Sequence, residues 1–317
     1  MTIPALPPAT STFSSTRFLT DLKSIAHALN TPICEQTTLK ILATFASSFA
    51  RGAVLLRTTN QPTGPLNYRV YERQSTDLVA QSISAGLLPP NSPLGNLTQT
   101  WATLYEPHSH QLADFDAAKG LVKFWVFLGG IRPVAEILSV PGVPECIARH
   151  VRTTFVDDDV LGLTGIRHAA VDVEKNSMNL YFRTAGGGSL TRDLVDRYIG
   201  LAQGAGPIPR AVFEEIAARF PEEGGTFAVT MDFATGRITR VASYALRLDE
   251  GRLGEAVLGE RIARFFGASP SYDKEEMKAL AWSFGGGGER YVKAEHSYCG
   301  DLVGLLTGWR TNMSDES

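Results

Sequence analysis

The feature that most constrains this chain is a recurring order of segments: two stretches with helical spacing of apolar residues, then two short alternating stretches joined by a turn. Ser15 to Leu29 and Thr37 to Ala50 predict helices separated by the breaker Pro32. Ala53 to Arg57 and Leu66 to Tyr71 then predict strands joined through Gln61-Pro62-Thr63-Gly64-Pro65, a hairpin with more than two loop residues. Asp77 to Gly86 and Leu97 to Leu104 read as the next helices and Lys119 to Phe127 as a strand, while the stretch with His108 and His110 reads as strand or loop. Helices at Pro133 to Leu138 and Glu145 to Val156 precede strands at Ile166 to Val173 and Met178 to Thr184, across Glu174-Lys175-Asn176. The fourth passage has helices at Leu190 to Ala202 and Arg210 to Phe220, with strands at Thr226 to Phe233 and Ile238 to Leu246. The last has a helix at Leu258 to Phe266 and a short helical turn at Ser271 to Glu276. Strands at Ala279 to Ser283 and Tyr291 to Ser297 follow, and then a helix from Gly300 to Trp309.

A helix pair and its hairpin cannot bury their apolar faces alone, so the repeats share one core. The expectation is one α+β domain over residues 16–310, with flexible tails at 1–15 and 311–317. Antiparallel strands in this number can close into a barrel without exposed edges; an open α+β sandwich is the alternative.

Alternation along the strands groups polar residues that an apolar core would not tolerate. Asn67, Arg69 and Tyr71 share a face, as do Lys123, Trp125 and Phe127; Asn179, Tyr181 and Arg183; Arg240, Ala242 and Tyr244; and Lys293 with Glu295. Turned inward, these faces make a cavity with several cations, few acids and many aromatic rings. Such a cavity suits a diphosphate leaving group and an allylic cation held against π-faces. Turned outward, the same cations are solvated surface charge.

Composition excludes some partners. Lys+Arg 30 against Asp+Glu 33 gives a net charge of -3, which favours neither a nucleic-acid backbone nor an anionic membrane. The most apolar run, Leu121 to Ile131, is too short to span a bilayer and contains Lys123. Cys34, Cys146 and Cys299 form no metal or redox spacing, and no signal peptide is evident, so the expected compartment is the cytoplasm.

Six segments carry a resemblance: Ala50-Arg51-Gly52-Ala53, Arg57-Thr58-Thr59-Asn60-Gln61-Pro62, Gly129-Gly130-Ile131-Arg132-Pro133, Asn179-Leu180-Tyr181-Phe182-Arg183, Trp282-Ser283-Phe284-Gly285 and Tyr291-Val292-Lys293-Ala294-Glu295. From Phe18 to about Trp309 the chain resembles the aromatic prenyltransferases of the ααββ-barrel family, especially the bacterial subgroup that prenylates 4-hydroxyphenylpyruvate for antibiotic biosynthesis. Phenazine and fungal dihydroxynaphthalene prenyltransferases are similar too. The resemblance implies a ten-stranded antiparallel β-barrel surrounded by α-helices, acting as a monomer in secondary metabolism on two small molecules, a prenyl diphosphate and an aromatic acid.

The resemblance also implies residue roles. Arg57, Arg69, Lys123, Arg240 and Lys293 match positions facing the diphosphate of dimethylallyl diphosphate, and Tyr181 and Tyr244 match its tyrosine contacts. Lys175, Asn179 and Tyr298 are additional candidates for the diphosphate or the aromatic shield. Glu295 matches the residue at the acceptor's phenolic end, where it would orient or remove a proton, and Arg167 matches an acceptor-carboxylate position. A magnesium-dependent branch has an aspartate where this chain has Asn67, so no metal cofactor is expected to be essential. A non-catalytic aromatic-ligand carrier is the competing class.

Other conspicuous residues read as ordinary structure. Asp157-Asp158-Asp159 reads as a solvated helix-to-loop connection and Gly285-Gly286-Gly287-Gly288 as a flexible hairpin without the lysine of a phosphate loop. His27, His108, His110 and His150 lack metal spacing, Cys299 reads as a packed thiol, and no hydrolase elbow is present.

Overall fold

A computed structural model describes residues 13–157, 162–163, 165–183, 190–220, 225–248, 253 and 255–309. Most of both expected tails, and Asp158 and Asp159, lie outside these residues. Phe13 is packed, its ring 5.4 Å from Phe18 and 5.0 Å from Phe49.

Ten strands close into an antiparallel barrel: β1 (Ala53–Thr59), β2 (Asn67–Tyr71), β3 (His110–Asp116), β4 (Gly120–Pro133), β5 (Gly165–Asp172), β6 (Ser177–Arg183), β7 (Thr226–Asp232), β8 (Ile238–Ala245), β9 (Lys278–Gly285) and β10 (Arg290–Cys299). Each strand pairs with its neighbour in sequence, and β10 pairs with β1 to complete the ring. The open sandwich is thereby excluded. The helices outside are α1 (Ser15–Ala28), α2 (Glu35–Thr44), α3 (Ala46–Arg51), α4 (Leu78–Ser84), α5 (Pro93–Leu104), α6 (Val134–Leu138), α7 (Glu145–Arg152), α8 (Arg192–Gly200), α9 (Arg210–Arg219) and α10 (Glu255–Ala268). The last helix, α11 (Leu302–Gly308), has a different place.

Alternation divides the barrel's side chains into two cores. Outward residues such as Val54, Leu56, Tyr68, Val70, Phe115 and Phe124 meet the apolar faces of the helices. On α1 that face is Phe18, Leu22 and Ile25, and Ser14 caps the helix by accepting from the Arg17 amide at 3.3 Å. Inward residues Leu55, Tyr71, Leu112, Trp125, Phe127, Tyr181 and Tyr244 form the second core together with Leu302, Leu305, Leu306 and Trp309. The chain therefore turns after β10 and inserts α11 into one end of the barrel. Asp273 holds that turn by accepting from the Asp301 and Leu302 amides at 2.6 and 3.2 Å, and Arg73 donates to the Gly300 and Asp301 carbonyls.

Two local expectations are corrected and one that stood open is resolved. Thr37 to Ala50 is not one helix: the backbone breaks at Phe45, whose ring packs 5.2 Å from Phe115. The stretch from His110 is strand β3, not loop. Ser271 to Glu276 is irregular, with Asp273 engaged at the start of α11.

Candidate active site

The inward faces converge as their alternation predicts. The strand register sets Arg69 opposite Asp114 and Asp114 opposite Lys123, so three charged side chains lie abreast on β2, β3 and β4. Asp114 is not among the candidates that strand alternation singled out. Arg57 donates to its Oδ2 at 3.0 Å, and Arg69 grips both oxygens, through Nε to Oδ1 and through Nη2 to Oδ2 at 3.1 Å. Burial alone would raise the Asp114 pKa, but the two guanidiniums overcome it and hold it at about 2. With Asp116 and Asp172 also lining the barrel mouth, the interior holds more acid than expected.

Lysines and tyrosines alternate around the rest of the ring. Lys123 Nζ donates to Tyr181 Oη at 3.1 Å, and Lys293 Nζ donates to Tyr244 Oη at 3.3 Å. Burial pushes Lys123 down to about 7, with Arg240 and Arg57 adding to the shift against the attraction of Asp172 and Asp114. Lys293 is held well below its ordinary range by burial, then by Arg240, Arg57 and Lys123. These lysines sit among cations in a site that would be stabilised by an anion. Burial raises the pKa of both tyrosines, which keeps them as hydroxyl donors.

Arg240 donates to Thr230 at 3.3 Å, and Thr230 in turn donates to Asn179 Oδ1 at 2.8 Å. Asn179 Nδ2 is buried with no partner among the described residues. Lys175 lies apart from this ring, exposed in the β5–β6 turn, where it lines a mouth of about 300 Å³ with Arg57 and Asn67.

Beyond the charged layer the wall is aromatic. Trp125 has the Arg69 guanidinium 4.1 Å and the Lys123 ammonium 4.5 Å from its ring, and Tyr181 lies 4.3 Å away, centroid to centroid. Tyr244 meets Tyr181 edge-on at 5.9 Å. An inner cavity of about 60 Å³ opens here, lined by Arg69, Trp125, Tyr181, Tyr244, Glu295 and His168 among others. Glu295 is buried, its Oε1 3.7 Å from Arg69 Nη2 and without a hydrogen-bond partner among the described residues. Trp309 on the far side stacks 4.5 Å from Phe127 and 5.2 Å from His110.

Arg167 and Tyr298 stand differently. A register shift between Ile166 and His168 interrupts β5, and Arg167 Nη1 donates to the Trp309 carbonyl at 2.9 Å, tying strand to plug. Tyr298 belongs to the outer core, which corrects its place in the aromatic shield: its hydroxyl donates to Asp21 at 2.8 Å and its ring meets Phe18 at 5.1 Å. It is five residues from Lys293, so alternation turns it to the opposite face.

A ring of cations around an aromatic-lined barrel is what a prenyl diphosphate and its acceptor require, and the family model described as Aromatic prenyltransferase Orf2 matches residues 13–310. The chain belongs to this family. It is an aromatic prenyltransferase. An aromatic prenyltransferase of Sclerotinia sclerotiorum is 43% identical over 309 residues, covering 96% of this chain and 97% of that protein. The 4-hydroxyphenylpyruvate 3-dimethylallyltransferase of Streptomyces niveus is 39% identical over 307 residues, covering 97% and 91%. Among solved structures, 5-dimethylallyltryptophan synthase from Streptomyces coelicolor superposes with a TM-score of 0.59 at 12% identity, over 91% of this prenyltransferase and 98% of that chain. The apo form of prenyltransferase PriB gives 0.58 at 15% identity, over 89% and 95%. At these identities the two structures speak for the barrel alone.

Proposed function

We propose that the enzyme transfers a dimethylallyl group from dimethylallyl diphosphate to a ring carbon of an aromatic acid resembling 4-hydroxyphenylpyruvate, without a required metal. The observation that carries this reading is the ring of Arg57, Arg69, Lys123, Arg240 and Lys293, in which both lysines are depressed in pKa and directed at tyrosine hydroxyls. The activity that the Streptomyces niveus relative is named for, 4-hydroxyphenylpyruvate 3-dimethylallyltransfer, supports the donor and the acceptor class. In this reading the enzyme works as a monomer, its chamber complete within one chain, and serves secondary metabolism in the cytoplasm.

The chemistry follows from the order of layers. The allylic C–O bond breaks with its electron pair going to diphosphate, and the cations stabilise the charge that develops there. Asn179 Nδ2 is available to the same oxygens. Trp125, Tyr181 and Tyr244 screen the allylic cation from water and stabilise it through their π-faces. The acceptor ring attacks the primary carbon, and the ring proton then passes to the released diphosphate or to solvent, its C–H electron pair restoring aromaticity. Glu295 would orient the phenolic proton at one end of the acceptor, and Arg167 would hold the carboxylate at the other. In place of a metal-binding carboxylate, Asn67 brings no charge; Asp116 opposite it accepts from the Ala118 and Lys119 amides at 2.8 and 3.0 Å.

Mass spectrometry after incubation with dimethylallyl diphosphate tests the reading, using 4-hydroxyphenylpyruvate, a dihydrophenazine carboxylate and a dihydroxynaphthalene as acceptors. A product heavier by C5H8 with release of diphosphate is expected, and Arg167→Ala should impair the two acids more than the neutral acceptor. Tight binding of donor and acceptors without conversion would instead make the barrel a carrier.

A further inference from the structure

Tyr181, Tyr244 and Tyr71 share one arrangement, and the reaction outlined above uses only the first two. Tyr181 accepts from Lys123, Tyr244 accepts from Lys293, and Tyr71 accepts from Arg69 Nη1 at 2.9 Å. A phenol oxygen that accepts from a cation still has its own hydrogen to give, and the cation makes that hydrogen a stronger donor. Burial raises Tyr71 to about 12 against the opposing charge of Arg69, so the hydrogen is present at neutral pH. Among the described residues no group accepts it.

The course of β2 sets what Tyr71 can reach. The strand starts at the mouth with Asn67 and brings Arg69 level with Asp114 and Lys123. It ends at Tyr71, level with Leu112 and Trp125, with the Tyr71 ring 6.2 Å from Trp309 of the plug. Two residues of strand carry Tyr71 about 7 Å past Arg69, into the lining of the inner cavity that it shares with Glu295. Glu295 takes the other end of the same guanidinium: its Oε1 is 3.7 Å from Nη2 and has no hydrogen-bond partner among the described residues. Arg69 thus presents a donor, Tyr71, and an acceptor, Glu295, to one cavity. A hydroxyl group satisfies both at once, whereas a carboxylate is repelled by Glu295 and an ether leaves Glu295 without a donor.

Resting on the reading above that the acceptor is a phenol in contact with Glu295, we propose that Tyr71 is a catalytic residue that donates to the acceptor's hydroxyl oxygen while Glu295 takes that hydroxyl's proton. A ring carbon ortho to the hydroxyl uses a π pair to bond the allylic carbon. The O–H bond leaves its pair on oxygen, an oxygen pair becomes the C=O bond of a neutral dienone, and the proton rests on the Glu295 carboxylate. A phenol oxygen is a weak acceptor and a dienone carbonyl a stronger one, so the Tyr71 bond strengthens as the step proceeds. The ring proton then passes to diphosphate or solvent, its C–H pair restores the ring, the C=O pair returns to oxygen, and oxygen recovers its proton from Glu295.

Two measurements on the full chain test the pairing. In titration calorimetry of the wild type saturated with the thiolodiphosphate analogue of the donor, 3-(4-hydroxyphenyl)propanoate should bind about tenfold more tightly than 3-phenylpropanoate or the 4-methoxy compound. The neutral pair 2-naphthol and 2-methoxynaphthalene repeats the comparison without a carboxylate. Equal affinities within both sets, or no binding by any of the five, overturn the proposal, and this comparison needs no variant to fold. In steady-state kinetics with 4-hydroxyphenylpyruvate or a dihydroxynaphthalene, Tyr71→Phe keeps the ring against Trp309 and should lower kcat about ten- to hundredfold. The KM for dimethylallyl diphosphate should stay within about twofold, because Asp114 still holds Arg69. Unchanged kcat, or a loss confined to the donor KM as a purely structural role would give, overturns the proposal and leaves the prenyl-transfer reading intact. A phenol preference in binding without prenyl transfer to any acceptor overturns that reading, and the catalytic role with it.

Discussion

Replacing Asp114 by Asn keeps the shape of the side chain and removes the charge between two arginines. In the variant, Arg57 and Arg69 face each other in the barrel with Glu295, 3.7 Å from Arg69, as the remaining close acid among the described residues. Deleting one partner of a buried ion pair costs about 3–5 kcal/mol, because the other charge stays behind uncompensated. A second route gives a smaller figure of the same sign. The Asp114 carboxyl moves from 3.8 to about 2 on folding, which at about 1.4 kcal/mol per unit is worth roughly 2–3 kcal/mol. That route counts ionisation alone and omits the stranded guanidiniums. The pH dependence follows from the depressed folded-state pKa. The stabilisation is complete above the unfolded value near 4 and is lost as pH falls toward about 2. Urea denaturation of both proteins, followed by tryptophan fluorescence, should show the full deficit at neutral pH, narrowing as acid protonates the wild-type carboxyl. A deficit under about 1 kcal/mol at neutral pH, or one unchanged at about pH 3, refutes the assignment of Asp114 as the clamp on the two arginines.

Other outcomes follow from the same geometry. Because Lys123 titrates near 7 and is needed charged, kcat/KM for dimethylallyl diphosphate should fall about tenfold per pH unit above that value, and Lys123→Arg should remove this limb of the profile. Turnover should persist in EDTA; complete loss reversed by magnesium alone would overturn the metal-independent reading. Glu295→Gln should lower kcat while donor affinity, measured by titration calorimetry, stays within about twofold. Tyr298→Phe should cost about 1 kcal/mol in thermal unfolding through its lost bond to Asp21 and leave kcat unchanged, and a large loss of turnover would return Tyr298 to the active site.

The hairpins were legible because their turns stand between runs that alternate cleanly, as at Glu174-Lys175-Asn176 between β5 and β6. β3 was not, since this barrel reverses the usual pattern. Its inward residues His110, Leu112, Asp114 and Asp116 are mostly polar, while its outward residues include Gln111 beside Ala113 and Phe115. The segment thus resembles a loop, and with it Asp114 was lost, although two acids at i and i+2 ahead of the turn at Ala117 were a usable sign. The break at Phe45 left no mark, because phenylalanine is no helix breaker; the kink coincides with the packing of its ring against Phe115. Strand alternation placed Arg69, Lys123, Tyr181, Tyr244, Lys293 and Glu295 on inward faces, and it would have removed Tyr298 had it been applied there. The register shift at Arg167 is a property of two paired strands, so no single segment announces it, and His168 passed unnoticed for the same reason.

Closure between β1 and β10 has a consequence for how the molecule is made. The Val292 amide bonds to the Asn60 side chain across 232 residues of sequence, and Arg57 lies opposite Glu295 in the same seam. At a synthesis rate of about 5–20 residues per second, the first strand waits roughly 10–50 s on the ribosome before the strand that completes its pairing exists. Throughout that interval the growing sheet has an unpaired edge at β1, and the cations on its inner face have only part of their final surroundings. Catalytic competence therefore arrives with the last turns of the chain, and slow chain growth prolongs the period in which a neighbouring nascent barrel can take the place that β10 is due to fill.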